Sequence, residues 1–132
     1  MDKNLNNLFV ISSPSGGGKS SLIEALLSDP NAKRLSLSIS FTTRRRRSNE
    51  KNGKNYYFVN SDEFKKKIKN NDFLESAEVF KNFYGSLREN VITKLAKGEN
   101  VIFDIDWQCT RQIKNKKLNY KLHIRKNLTI NI

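Results

Sequence analysis

Short apolar runs alternate along the chain with stretches whose apolar residues recur every three or four positions. Residues 8–13, LFVISS, form a short apolar run that ends at a glycine cluster, which predicts a buried strand. From Ser20 the apolar residues take helical spacing, and this predicts a helix that ends at Asp29-Pro30, because proline cannot continue a helix. The predicted order is therefore strand, glycine-rich loop and helix.

Other apolar runs predict further strands. Residues 35–40, LSLSIS, alternate with a period of two, and residues 56–59, YYFV, are rich in aromatic side chains. Residues 100–106, NVIFDID, form an apolar strand that ends in acidic residues. The last residues, 121–132, also alternate like a strand.

Helical spacing returns in two places. One helix is predicted to begin at Ser61, as its N-cap, and to carry Phe64 and Ile68 on one face. A second helix is predicted over residues 87–97, and it stops at Gly98, a residue suited to the left-handed turn that ends helices.

Composition limits the class of protein. The 132 residues with 36% hydrophobic content predict a single domain with a real core. No apolar run approaches the ~18 residues of a membrane span, and the N-terminus lacks the pattern of a signal peptide, so we expect a cytoplasmic protein without membrane contact. The single cysteine, Cys109, and the single histidine, His123, cannot build an internal disulfide or a zinc site.

The formal net charge of +12 favours polyanionic partners, but the sign alone does not choose among them. Lysine is scattered over the whole chain, which indicates general composition more than a placed basic stripe. Residues 44–55, RRRRSNEKNGKN, are predicted to form a long mobile loop. A nucleic-acid or targeting patch is the alternative interpretation of the four arginines.

The stretch SSPSGGGKS, residues 12–20, lies between the first predicted strand and helix and ends like the P-loop pattern G-x-x-x-x-G-K-[ST]. Ser13 occupies the place of the first glycine. Backbone amides of the loop would hold phosphate oxygens, Lys19 would neutralise the transferring phosphate, and Ser20 would offer its hydroxyl to Mg²⁺. The alternative is a glycine-rich turn with an incidental lysine. The predicted ATP phosphate-binding residues are Ser13, Pro14, Ser15, Gly16, Gly17, Gly18, Lys19 and Ser20.

Asp104 and Asp106 end an apolar strand and lie two residues apart, so a strand would place them on the same side. Acidic residues often end strands, and alone this signal is weak. Together with a P-loop, the pair resembles a Walker B element, which would complete a Mg²⁺ site.

Four separated segments in the right order give the chain a specific resemblance to the guanylate kinase family. Besides the P-loop, these are residues 38–47 (SISFTTRRRR), 52–59 (NGKNYYFV), 73–86 (FLESAEVFKNFYGS) and 101–108 (VIFDIDWQ). The likeness runs from about Leu8 to Gln112. It implies a three-layer α/β fold around a mostly parallel sheet, with a small mixed α/β insertion that binds a nucleoside monophosphate. It also implies ATP-dependent phosphorylation of GMP to GDP by direct in-line transfer, with Mg²⁺ accompanying the ATP.

The resemblance also implies site residues. Arg44 and Arg47 can fork around a dianionic phosphate, to which Tyr56 and Tyr84 add hydroxyl donors. Glu75 can accept two hydrogen bonds from guanine, and Ser40 or Ser86 can donate to its carbonyl oxygen. The tyrosines as core aromatics, and Glu75 as a solvated charge at a helix end, are the alternatives. The implied GMP-binding residues are Ser40, Arg44, Arg47, Tyr56, Glu75, Tyr84, Ser86, Asp104 and Asp106; the implied catalytic residues are Lys19, Asp104 and Asp106; Ser20 and Asp104 are the implied metal ligands.

The resemblance implies a core from residues 1–40 and 87–132 and a GMP-binding insertion from 41–86. Family chains continue beyond this point, so the expectation is a chain that lacks the lid and the last part of the core. Beyond about Lys121 the sequence no longer resembles the family, and Cys109 stands where the family has glycine. We expect a monomer or homodimer. A guanine-nucleotide-binding domain without catalysis stays open, and a basic nucleic-acid binder is less expected.

Overall fold

The structure is a computed structural model that describes residues 7–12, 19–31, 34–116 and 121–126. The strands are β1 (Asn7–Ser12), β2 (Leu35–Leu37), β3 (Phe41–Thr42), β4 (Tyr57–Phe58), β5 (Phe73–Val79), β6 (Asn82–Leu87), β7 (Asn100–Asp104) and β8 (Lys121–Lys126). The helices are α1 (Lys19–Ser28), α2 (Ser61–Lys69), α3 (Arg88–Ala96) and α4 (Trp107–Asn115). Among the described residues, none of the helices has the length and apolar character needed to cross a membrane.

The chain divides into two compact units. The first unit is drawn from Met1–Ser38 and Ile92–Ile132, and the second is Ile39–Val91. The second unit is therefore inserted between two parts of the first. Each unit has a four-stranded sheet of its own.

The sheet of the first unit is parallel throughout, in the strand order β2-β7-β1-β8. Its two central strands are the most apolar, and Leu8, Val101 and Phe103 are almost completely buried. Near-continuous apolar runs are typical of strands that are covered on both faces. This sheet confirms the predicted α/β class, and β8 confirms a strand over residues 121–126.

Helix ends in the first unit follow the residues that predicted them. Helix α1 stops at Ser28, immediately before Asp29-Pro30. Gly98 has φ +83°, a left-handed conformation that a residue with a side chain rarely adopts, and it follows the end of α3. The predicted start of α3 at residue 87 was one residue early, because Leu87 still belongs to β6.

The sheet of the second unit is mixed, in the order β4-β3-β6-β5. Strands β3 and β4 are parallel, whereas β6 runs antiparallel to both β3 and β5. One face of this sheet is aromatic: the Phe64 ring of α2 stacks on Phe73 at 4.5 Å and on Phe83 at 5.4 Å between centroids. This packing fixes α2 against one side of the sheet.

Two details of α2 differ from the prediction. The N-cap is Asn60, not Ser61: its backbone is extended and its side-chain oxygen accepts a hydrogen bond of 2.8 Å from the Glu63 N–H. Ile68 does not share the buried environment of Phe64, since 44% of its surface is exposed. Phe64 alone is the buried residue of this helix.

Residues 44–55 form a loop, as predicted, and hydrogen bonds give part of it local order. The segment turns at Glu50, whose N–H donates to the Arg47 carbonyl at 3.0 Å. It then returns to the sheet, with a bridge between Asn52 and Tyr56. The single acidic residue of this basic segment therefore closes the turn.

Candidate functional site

A shift of register in the β5–β6 ladder decides which side chains share a face of the second sheet. Phe73 is paired with Leu87, but Glu75 is paired with Ser86, so two residues of β5 advance against one of β6. Without this bulge Phe73 and Glu75 would face the same side, because they lie two residues apart. The bulge leaves Phe73 on the aromatic face and turns Glu75 to the opposite, polar face.

Glu75, Ser86 and Ser40 form a chain of hydrogen bonds on the polar face. The Ser86 hydroxyl donates to Glu75 Oε1, and the Ser40 and Ser86 hydroxyl oxygens lie 3.5 Å apart. Since the single hydrogen of Ser86 is directed at Glu75, Ser40 is the donor in the second contact. Glu75 is 2% exposed and Ser86 is fully buried. Glu75 is thus a buried strand residue, and the alternative of a solvated charge at a helix end is wrong.

Arg44, Tyr56 and Tyr84 come together on the same face. Tyr84 lies two residues from Ser86 on β6, and its ring centroid is 5.9 Å from that of Tyr56. The Arg44 guanidinium carbon lies 5.2 Å from the centroid of the Tyr56 ring. Both tyrosines keep partial exposure, which does not fit the alternative of plain core aromatics. The structure therefore assembles three of the four residues that were predicted to hold a phosphate.

Glu50 is a member of this cluster that the sequence did not predict. Arg44 donates from Nη1 to Glu50 Oε1 at 3.1 Å and from Nη2 to Oε2 at 2.8 Å, a two-point ion pair. The Arg44 and Glu50 side chains are only 17% and 12% exposed. The available signal was that Glu50 is the only acidic residue within the basic segment 44–55.

This ion pair shifts the pKa of both partners. The hydrogen bond from Arg44 lowers the pKa of the Glu50 carboxyl below its usual value, and the Arg47 N–H acts in the same direction. The hydrogen bond to Glu50 is also the main reason why the pKa of Arg44 is raised. Both groups therefore stay charged throughout the physiological range.

Arg47, the fourth predicted phosphate ligand, reaches the cluster through its backbone. Its N–H donates to Glu50 Oε1 at 2.9 Å, while the residue is exposed. Thr42 supports the same turn from β3: its hydroxyl donates to the Phe83 carbonyl at 2.9 Å and accepts from the Arg44 N–H at 3.1 Å. Thr42 was not predicted as a site residue. It is completely buried, and its hydrogen bond with the Arg44 N–H helps to position Arg44.

Asp104 and Asp106 do not share a strand face as predicted. Strand β7 ends at Asp104, which is exposed and in register with Ile11 of β1. Asp106 lies beyond the strand and caps α4, where its Oδ1 accepts from the Cys109 N–H at 2.9 Å. The period-two argument failed because the strand ends two residues before Asp106.

The phosphate-loop residues fall mostly outside the described part of the chain. Ser13, Pro14, Ser15, Gly16, Gly17 and Gly18 are not described, and Lys19 and Ser20 begin α1. The described ends of β1 and α1 agree with the predicted order of strand, loop and helix. Cys109 is buried in α4, and the described residues contain no group of three or more histidine, cysteine or acidic residues suited to a metal ion.

Comparison with known proteins identifies relatives of this chain. A sequence model described as guanylate kinase matches residues 5–126. The guanylate kinase of Rickettsia bellii is 50% identical over 120 residues, which are 90% of this chain and 61% of the relative. That of Escherichia coli K12 is 50% identical over 109 residues, or 83% of this chain and 53% of the relative. The crystal structure of guanylate kinase from Anaplasma phagocytophilum superposes with a TM-score of 0.74 at 34% identity, over 94% of this chain and 61% of that one.

The match is longer than the motifs alone indicated. It passes the predicted limits of Leu8 and Gln112 at both ends, and it includes all of β8, where the sequence beyond about Lys121 was judged unlike the family. The chain spans 61% and 53% of the length of these two curated relatives. With a match over most of its residues, the chain belongs to the guanylate kinase family.

Proposed function

We propose that this chain binds GMP through its second unit and takes part in the transfer of the γ-phosphate of ATP to GMP, which yields GDP and ADP. One observation carries the proposal. A buried carboxylate, Glu75, shares a sheet face with a partly buried arginine, Arg44, and with the tyrosines next to it. The Glu75 carboxylate suits the guanine base of GMP, and the Arg44 guanidinium on the same sheet face suits its phosphate.

The base would be recognised at Glu75. Guanine presents a ring N–H and an exocyclic amine on one edge, and a carboxylate is able to accept both hydrogen bonds. Ser40 or Ser86 would donate to the guanine carbonyl oxygen, and the hydroxyl that does so would release its present acceptor, Ser86 for Ser40 and Glu75 for Ser86. Adenine presents a different edge and would make neither of these two hydrogen bonds to the carboxylate, and a hydrogen bond lost at a buried charged group costs about 1.5–3 kcal/mol.

The monophosphate would be held by Arg44 and Arg47 with the hydroxyls of Tyr56 and Tyr84. Arg44 uses one hydrogen on each terminal nitrogen for Glu50, and Nη1 also donates to the Arg45 carbonyl at 3.1 Å. Within the described part of the chain, its Nε–H and second Nη2 hydrogen make no hydrogen bond. Those two donors lie on one edge of the guanidinium and match two phosphate oxygens.

On the donor side, the loop of residues 13–18 with Lys19 would bind the ATP phosphates. Asp104 fits a part in holding Mg²⁺, because it lies exposed beside the end of β1, the strand that leads into this loop. Mg²⁺ is commonly held by one or two carboxylates together with substrate phosphates and water. Asp104 and Ser20 would therefore be enough protein ligands for the ion. The ion would supply charge neutralisation on the phosphates, while Lys19 and the loop amides would orient them.

The test is calorimetry of the whole chain with GMP and with AMP, followed by chromatography of GDP formed from GMP and Mg·ATP. Binding of GMP in preference to AMP, with formation of GDP, is the expected result. Binding without GDP formation would leave a guanine-nucleotide-binding domain as the function. Salt-dependent binding to RNA or duplex DNA without GMP binding would support a basic nucleic-acid binder.

Lys19→Ala tests the ATP site separately from the GMP site, because Lys19 would contact only the ATP phosphates. GDP formation should be lost in this variant while GMP affinity stays within about twofold of the original value. Lys65→Ala, which removes an exposed lysine from α2, is the matched control and should change neither. Loss of GMP affinity in Lys19→Ala, with an unchanged melting curve, would contradict the assignment.

A further inference from the structure

Glu50 contacts the predicted phosphate ligands, yet its carboxylate has the same charge as a phosphate. It receives two hydrogen bonds from Arg44 and one from the Arg47 N–H. Two opposite roles follow from these contacts. Glu50 could occupy the arginine in place of the phosphate and compete with it, or it could fix the arginine in the orientation that the phosphate needs.

The geometry favours the second role. Glu50 takes the edge of the guanidinium formed by Nη1 and Nη2, whereas the edge formed by Nε and Nη2 makes no hydrogen bond within the described part of the chain. A carboxylate that stood in for the phosphate would take the edge that the phosphate uses. Here the two anions would lie on different edges of one planar cation, so both are accommodated together.

The surroundings of the pair also hold it in one place. The Arg44 guanidinium lies against the Tyr56 ring at 5.2 Å and near Phe58 at 6.0 Å, so aromatic rings limit its movement from one side. Its backbone N–H is fixed by the Thr42 hydroxyl. An arginine that is already oriented loses less side-chain entropy when it binds a ligand.

Glu50 is itself held in place by the backbone turn that it closes. Its backbone N–H donates to the Arg47 carbonyl, and its carbonyl accepts from Arg46 Nη1 at 2.7 Å. These contacts join the acidic residue to the same run of arginines from both its backbone and its side chain. A Glu50 side chain that turned away from Arg44 would also give up its hydrogen bond from the Arg47 N–H, which braces the same turn.

We propose that Glu50 is a positioning residue for the monophosphate subsite: it holds the Arg44 guanidinium so that its Nε and Nη2 edge faces the phosphate. This inference rests on the proposed function, since it names how the GMP phosphate ligand is oriented. It predicts that Glu50 affects the binding of the phosphate group and not that of the guanine base.

The experiment compares GMP with guanosine, which lacks the phosphate, by calorimetry on the full chain. Glu50→Gln keeps the size of the side chain but removes its charge and one acceptor for Arg44. We expect GMP affinity to fall at least about tenfold, the scale of a lost hydrogen bond to a charged group, and guanosine affinity to stay within about twofold. The matched control is Glu78→Gln, an exposed residue of β5 in the same unit, which should change neither affinity.

A double-mutant cycle with Arg44→Ala tests whether Glu50 acts through Arg44. If it does, Glu50→Gln should have almost no further effect on GMP affinity once Arg44 is absent. Glu50→Asp keeps the charge at a shorter reach, and its GMP affinity should lie between those of the original chain and Glu50→Gln.

Each other outcome is decisive. Tighter GMP binding in Glu50→Gln would show that Glu50 competes with the phosphate, and unchanged binding would show that it does not orient Arg44. Equal losses for GMP and guanosine would mean that Glu50 only supports the fold. If the original chain bound neither ligand, the proposed function and the inference would both fail, whereas any of the first three results would overturn the inference alone.

Discussion

Gly85 of β6 has no room for a side chain, and Gly85→Ala should destabilise the chain. A Cβ placed there would lie 2.9 Å from Cδ1 and 3.0 Å from Cε1 of Phe73, and 3.1 Å from the Glu75 carbonyl oxygen. Its backbone is not left-handed, so alanine would be acceptable by conformation and only the space is lacking. The substitution therefore isolates a packing effect.

The size of the effect follows from what is able to move. Phe73 is held between Phe64 at 4.5 Å and Phe41 at 6.3 Å, so its ring has little freedom to retreat. The Glu75 carbonyl belongs to the sheet ladder and cannot shift without disturbing the bulge. Overpacking of this kind costs about 1–3 kcal/mol, which corresponds to a fall in melting temperature of about 3–12 °C for a chain of this size.

The assay is thermal unfolding followed by circular dichroism, together with GMP calorimetry. Because the second close contact is with the backbone of Glu75, we expect GMP affinity to fall along with the melting temperature. Phe73→Leu in the Gly85→Ala background should recover part of the stability, since it removes the ring and leaves the carbonyl contact. A melting temperature equal to or above that of the original chain would refute the reasoning, because it would mean that the sheet yields freely at Gly85.

Three further predictions concern the same unit. Glu75→Gln should weaken the binding of GMP by about 2–4 kcal/mol, or about 30- to 1000-fold, and leave the binding of ATP unchanged. Equal losses of affinity for GMP and ATP in calorimetry would mean that Glu75 has only a structural role. Replacing Phe80 by Asn and Lys81 by Gly should raise the stability by about 1 kcal/mol or more in thermal unfolding, because both turn residues have left-handed φ values, 49° and 68°. Because the pKa of Glu50 is lowered on folding, its ion pair stabilises the chain above the usual glutamate pKa and stops doing so as pH falls through the lowered value. The melting temperature of the original chain should therefore fall more than that of Glu50→Gln between about pH 6 and about pH 3, and parallel curves would count against the pair.

Local chemistry along the chain was sufficient to determine several elements. A short apolar run predicts β1, and the Asp29-Pro30 pair predicts the end of α1, because each depends on a few consecutive residues. Gly98 ends a helix for the same reason. The spacing of glycine, lysine and serine, together with the later motifs, was enough to indicate the family.

Which residues come together in the site could be learned only from the tertiary structure. Period-two alternation would place Phe73 and Glu75 on one face, and only the bulge against β6 separates them into an aromatic face and a polar face. That bulge depends on pairing between strands, which no local pattern records. Asp106 shows the same limit, since the sequence does not reveal that β7 ends before it and that its carboxylate caps α4.

The sequence by itself determined which residue types were available, and the tertiary structure decided which of them meet. Glu75 and Ser86 are 11 residues apart and Ser40 and Ser86 are 46 apart, yet hydrogen bonds connect all three. Arg44 was predicted as a phosphate ligand from its charge and the family resemblance, whereas its two-point contact with Glu50 arises from a turn of the chain. Residue type sets what a side chain is able to bind, but orientation depends on strand register and on the partners that burial brings close, and these are properties of the fold.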